Sequence, residues 1–184
     1  MTLPDWAIAG RGGWRWTGAE RPDFADEPGE GQESVWDYPR PPIAVDDTRS
    51  VVVRLSGTVL ADTTAAVRIL ETASPPTFYI PPSDVRMDLL RPAHGVTRCE
   101  WKGVGEYWSV RTQEEERVEQ AAWSYGDPFP EFERIRDYVS FYPGRVECYV
   151  DGERVRPQGG GFYGGWITSE VVGPFKGDLG AGAW

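Results

Sequence analysis

The stretch Thr97-Arg98-Cys99-Glu100-Trp101-Lys102-Gly103-Val104-Gly105-Glu106-Tyr107-Trp108-Ser109-Val110-Arg111 decides the fold class. A short run ends at Trp101, a Lys-Gly-Val-Gly segment follows, and a second run returns from Glu106. That pattern predicts a hairpin with a Gly-flanked, mobile tip. On an alternating strand Cys99 and Trp101 share one face. Lys102 then falls at the turn, and Tyr107 and Ser109 come back toward Cys99.

The same grammar repeats outward. Ser50 to Leu55, Ser56-Gly57 and Thr58 to Ala61 read as strand, turn and strand, and Thr77 to Ile80 and Val118 to Tyr125 as further strands. Arg145 to Val150 and Glu153 to Arg156 flank Asp151-Gly152, a strong hairpin turn signal. Two segments read as helical. Thr64 to Leu70 is Ala-rich, with Val67 and Leu70 facing inward and Pro75-Pro76 stopping it. The main helix opens at Asp127-Pro128-Phe129-Pro130, with Phe132, Ile135 and Val139 at helical spacing. Ser83 to Leu90 suggests a helical turn capped by Ser83. The fold class is therefore mainly β (α+β): small antiparallel sheets with one main helix. Residues 1–42 form an extended aromatic and Pro-rich arm, 43–156 the core domain, and 157–184 a Gly-rich aromatic tail.

Charge and composition exclude several functions. Nineteen cations against 29 anions leave a net charge of −10, which disfavours phosphate backbones and anionic membrane surfaces. No apolar run approaches ~20 residues, so no membrane span is expected. Met1 to Gly10 lacks the pattern of a signal peptide. Cys99 and Cys148 make neither a disulfide scaffold nor a metal framework. The expectation is a cytoplasmic protein with reduced thiols and no cofactor.

The chain has only two lysines, Lys102 and Lys176, each preceded by an aromatic residue and followed by Gly. Lys differs from Arg in that burial can lower its pKa until it serves as base or nucleophile. Lys102 is the site candidate, and Lys176 reads as a snorkelling side chain. His94, in a loop five residues before Cys99, reads as a solvated residue.

The chain resembles a bacterial family named domain of unknown function 427, also labelled nucleotidyltransferase-like. The resemblance rests on Gly31-Gln32-Glu33-Ser34-Val35-Trp36-Asp37-Tyr38-Pro39-Arg40-Pro41-Pro42, Phe78-Tyr79-Ile80-Pro81 and Thr97 to Gly103. Ala122-Trp123-Ser124-Tyr125, Val139-Ser140-Phe141-Tyr142, Tyr163-Gly164-Gly165-Trp166 and Gly173-Pro174-Phe175-Lys176-Gly177 extend it. It implies a small, mainly β fold similar to the β-tent, with a concave sheet face able to hold a small ligand. Many β-tent proteins hold zinc on two CxxC knuckles. This chain has none, so no metal is expected. Against nucleotidyl transfer, the nearest paired carboxylates are Asp46-Asp47, which reads as a turn, and Asp84 with Asp88, which reads as helix surface.

These readings converge on a small organic molecule held in an aromatic pocket. Lys102, Cys99 and Tyr107 are the catalytic candidates, for acid–base or covalent chemistry of an isomerase, cyclase or lyase type. Trp101, Trp123, Tyr125, Tyr79, Arg86 and Trp36 are the ligand-binding candidates. The competing classes are nucleotidyl transfer, as the family label suggests, and a non-catalytic binding or interaction module. In the latter case the aromatic arms would form an interface, a homodimer included, rather than cover the pocket.

Overall fold

Alternating apolar residues and closely spaced turn signals produce a mainly β architecture. A computed structural model describes residues 2–178. Trp184 and the end of the 157–184 segment lie outside the described residues. One four-stranded antiparallel sheet runs in the order Val139–Phe141, Arg117–Ser124, Gly103–Arg111, Leu90–Cys99. A second runs Glu153–Arg154, Glu147–Val150, Val51–Leu55, Thr58–Thr63. A three-stranded sheet runs Ile43–Asp47, Ala66–Glu71, Ser74–Tyr79.

Two hairpins turn where expected. Ser56 and Gly57, and Asp151 and Gly152, all have positive φ, which suits the tight two-residue turns that follow strand twist. The hairpin centred on Lys102 also forms, with Cys99 opposite Gly103. Its tip, however, is held rather than free. The Phe129 amide donates to the Lys102 carbonyl at 3.0 Å, and Arg11 lies over the Trp101 ring at 4.9 Å.

Both helical expectations change. Ala66–Glu71 is a strand, because Val67 and Ile69, not Val67 and Leu70, alternate into the core. The two prolines that were to end a helix lie inside Ser74–Tyr79. That strand is an edge of its sheet, where a missing N–H costs little. The segment after Pro130 is a 3-10 turn, Pro130–Ile135, interrupted at Phe132. Asp137 then adopts φ 63°, and Val139 joins a strand. Phe132, Ile135 and Val139 are all buried, so burial at helical spacing arises here from two different elements, an interrupted 3-10 turn and a strand. Among the described residues the one α-helix is Asp5–Arg11, in the arm read as extended. Arg11 Nε donates to the Glu100 carbonyl at 2.8 Å, which clamps the hairpin tip from outside. Ser83 makes no side-chain cap, and Pro82–Asp84 and Met87–Leu89 are separate 3-10 turns.

The terminal segments are built into the core. Trp166 is 1% exposed, stacks on Phe78 at 4.9 Å and donates from Nε1 to the Phe141 carbonyl at 3.0 Å. Glu33–Ser34 of the arm pairs in parallel with Val171–Val172 of the tail. An ion-pair network fastens this junction to the core. Arg68 contacts Glu33 at 3.0 Å and Asp47 at 3.4 Å, and Arg49 pairs with Asp47 at 2.6 Å and also with Glu170. Burial alone would raise the Asp47 and Glu33 carboxyls. Arg49 and Arg68 outweigh it at Asp47, and Arg68 with the Tyr38 hydroxyl at Glu33, so both lie below their ordinary values.

A carboxyl whose folded pKa is depressed adds stability above its unfolded value of roughly 4, and that stability is lost as pH falls through the folded value. Urea unfolding followed from neutral pH downward is therefore expected to show a falling midpoint beginning near pH ~4. Asp47→Asn should be less stable at neutral pH and should flatten that acid limb.

Candidate functional site

The three-stranded sheet, the Cys99 hairpin and the tail line a half-open cavity of about 230 Å³. Tyr79 comes from the edge strand, Cys99 and Lys102 from the hairpin, and Trp123 and Tyr125 from the next strand and its end. The tail closes one side with Phe162, Tyr163 and Gly164. A Cβ on Gly164 would lie 2.2 Å from the Trp123 ring, so only glycine lets that backbone rest against the indole.

The rings form a connected wall. Trp123 Nε1 donates to the Tyr79 hydroxyl at 3.2 Å, and the Tyr79 and Trp123 rings meet edge to face at 6.1 Å. Trp123 packs on Tyr142 at 4.4 Å. Burial pushes the Tyr79 and Tyr125 hydroxyls up, so both are neutral at physiological pH.

Lys102 is 7% exposed. Its ammonium lies 5.8 Å from the centroid of the Phe132 ring. Among the described residues it makes no salt bridge. Burial disfavours its charge, but neighbouring groups, Cys99 foremost and Glu71 among them, outweigh that effect, and its pKa is raised. This corrects the expectation of a lysine made neutral by burial: desolvation is present, but the neighbours keep Lys102 cationic. Glu71 itself pairs with Arg40 at 3.0 Å, so much of its charge is already compensated.

Lys176 lines the same cavity. The two lysines of the chain therefore meet at one site. Lys176 Nζ lies 4.2 Å from the Trp14 ring centroid and 5.1 Å from that of Tyr163. The Arg40 guanidinium sits 3.7 Å from the centroid of the same Trp14 ring. Burial, then the Arg40 charge, lower the Lys176 pKa against Glu71, Glu100 and Cys99, which act to raise it. Lys176 thus has the character expected of Lys102. The signal that could have found it was its identical aromatic-Lys-Gly setting in a chain otherwise free of lysine. Glu71 lines the cavity as well, although nothing local distinguishes it from other strand carboxylates.

Four of the expected site residues stand elsewhere. Cys99 faces Gly103 across the hairpin, and Tyr107 faces Trp123. Tyr107 is thus four residues along its strand from the partner of Cys99, roughly 13 Å away at the usual strand rise. It packs behind the wall as a hydrogen-bond neighbour of Tyr142. Trp101 is buried under Arg11. Arg86 is held by Asp88 through two hydrogen bonds of 2.8 and 2.7 Å on an exposed turn. Trp36 is fully buried in the arm and donates from Nε1 to the Pro174 carbonyl at 3.0 Å. His94 is exposed and lies outside the cavity.

The thiols differ in the same way. Cys148 is buried and its pKa is pushed up by that burial, whereas Cys99 is half-buried at the cavity wall. Titration with an aromatic disulfide reagent is expected to modify Cys99 alone in the folded protein and both thiols after unfolding. Fast reaction of Cys148 in the native state would contradict this placement.

The carboxylates considered for metal-dependent transfer do not converge. Asp46 pairs with Arg134, Asp47 with Arg49, and Asp88 with Arg86, while Asp84 accepts a hydrogen bond from Thr63 at 2.6 Å. Among the described residues no group of three or more His, Cys, Asp and Glu side chains is placed to hold a metal ion. No helix among them is long and apolar enough to cross a membrane.

Fold and site together define a mainly β protein with an aromatic-walled, lysine-bearing cavity. The chain belongs to the family described as domain of unknown function 427, whose model matches residues 43–152. No curated protein matches it.

Proposed function

We propose that the protein binds a small organic anion, with the Lys102 ammonium as counter-charge and the Trp123, Tyr79, Tyr125 and Tyr142 rings packing its apolar part. The observation that carries this reading is the convergence of both lysines on one cavity, with Lys102 buried and, among the described residues, in no salt bridge with a carboxylate. A buried cation is costly unless an anion and hydrogen bonds satisfy it. A ligand carboxylate would supply both and leave an aromatic or planar remainder against the rings. Because the net charge is −10, selection would come from short-range pairing inside the cavity, not from long-range steering. The two free thiols fit a reducing compartment such as the cytoplasm. Nucleotidyl transfer receives less support, since the carboxylates proposed for it are bound to arginines or a threonine and none lines the cavity.

The test compares matched probes. Benzoate, phenylglyoxylate and phenyl phosphate are titrated against the neutral benzyl alcohol, with thermal unfolding and tryptophan fluorescence as readouts. Saturable stabilisation by ring-bearing anions, absent with the alcohol, is expected. Equal effects of charged and neutral probes, or none from any of them, would overturn the reading.

A further inference from the structure

We infer that Lys176 is a Schiff-base lysine and that the cavity takes a 2-oxo acid, its carboxylate on Lys102 and its carbonyl carbon at Lys176 Nζ. This rests on the anion-binding reading and names the ligand class for the same site.

Three observations suit Lys176 to the covalent role, and the first of them separates it from Lys102. First, Lys176 and Arg40 lie against the same indole, 4.2 and 3.7 Å from its centroid. Two cations beside one ring, Arg40 buried and Lys176 half-buried, favour loss of a proton from the one that can lose it, and arginine cannot. The direction of the Lys176 pKa agrees. Second, among the described residues Lys176 has no carboxylate in a salt bridge, so no fixed anion holds its charge. Third, its backbone is held at both ends. The Lys176 amide donates to the Ala73 carbonyl at 2.7 Å, and its carbonyl accepts from Gln158 Nε2 at 2.7 Å. The next residue, Gly177, has φ 93° and presses on Gly159 and Tyr163, where a Cβ would not fit. A reacting amine on a fixed backbone meets the positional demand of catalysis.

The chemistry balances without a co-reactant. The Lys176 lone pair forms the C–N bond as the carbonyl π pair moves to oxygen and is protonated, giving a carbinolamine. Loss of a proton from nitrogen and departure of the protonated oxygen as water leave the imine. The net change is amine plus carbonyl to imine plus water, with nothing oxidised or reduced.

Reductive trapping tests this. The chain offers just three amines: the N-terminus, Lys102 and Lys176. Protein is incubated with pyruvate or phenylglyoxylate and cyanoborohydride, and adducts are located by peptide mass mapping, with calorimetric binding of the same probes measured in parallel. The expected adduct is on Lys176. It should be lost in Lys176→Arg, which keeps the charge but cannot form the imine. It should be reduced roughly tenfold or more, yet still located on Lys176, in Lys102→Met, as for loss of a charge-assisted contact. Circular dichroism and unfolding midpoints confirm that both variants fold. Probes that bind without an adduct, or an adduct on Lys102 or the N-terminus only, overturn the Schiff-base assignment while leaving anion binding intact. Failure of every ring-bearing anion to bind overturns both.

Discussion

Lys102→Met is expected to lower affinity for ring-bearing carboxylates by roughly 10- to 100-fold, as for loss of one charge-assisted contact of about 1.5–3 kcal/mol. The unfolding midpoint in the absence of ligand should stay unchanged or rise. The two halves follow from one fact, a cation 7% exposed with no carboxylate in a salt bridge among the described residues. In the ligand-free protein its neighbours keep it charged, but an ammonium taken out of water without a carboxylate partner contributes little net stability. An apolar chain of similar length avoids that desolvation and fills the same space. With an anion bound, the same ammonium becomes the main polar contact. A purely structural lysine would behave oppositely: its removal would destabilise the fold and leave binding unchanged. Isothermal titration with benzoate beside urea unfolding separates the two cases. A large loss of stability with unaltered affinity would remove Lys102 from the site.

Strands were legible in the sequence wherever alternation and turn chemistry agreed, as at Ser56-Gly57 and Asp151-Gly152. Failures came where tertiary context decided. The Ala66–Glu71 segment has helix-compatible composition, but it lies between two strands that bury Val67 and Ile69 from one face. Phe132, Ile135 and Val139 mimic a helical stripe because a 3-10 turn and an edge strand happen to bury all three. The Asp5–Arg11 helix carries little periodicity of its own, and Arg11 and Trp6 dock it on Trp101 and Phe129.

For the site, rarity was the useful signal: two lysines in matching settings. Local sequence could not say which lysine keeps its charge, since that depends on Arg40, Glu71 and Trp14, brought together from 14 to 176. Nor could it rank the rings. Trp36, Trp101 and Trp123 look alike in sequence, and only the register of the sheet turns Trp123 toward the cavity.

Trp36→Ala is expected to cost about 3–5 kcal/mol of stability, the range for truncating a fully buried large aromatic. Its effect should concentrate on the tail that carries Lys176. Trp36 meets Phe24 and Trp16 edge to face at 5.0 and 6.3 Å, so truncation removes ring contacts as well as area. Its indole also holds the Pro174 carbonyl, two residues before Lys176. A second path runs through the adjacent residue: the Ala73 amide donates to the Val35 carbonyl at 3.0 Å, and the Ala73 carbonyl accepts from the Lys176 amide. Loosening Trp36 therefore loosens two tethers of the Lys176 segment, at Pro174 and through Ala73, and leaves only that from Gln158, while Lys102 keeps its own support from Phe129. Trypsin should cut after Lys176 faster in the variant than in the parent under conditions where both remain folded, with the hairpin at Lys102 still protected. Trp36→Phe, which retains the ring but not the donor, should fall between the two. If Trp36→Ala lowers the unfolding midpoint yet leaves cleavage at Lys176 unchanged, the arm steadies the core alone and has no part in positioning the lysine.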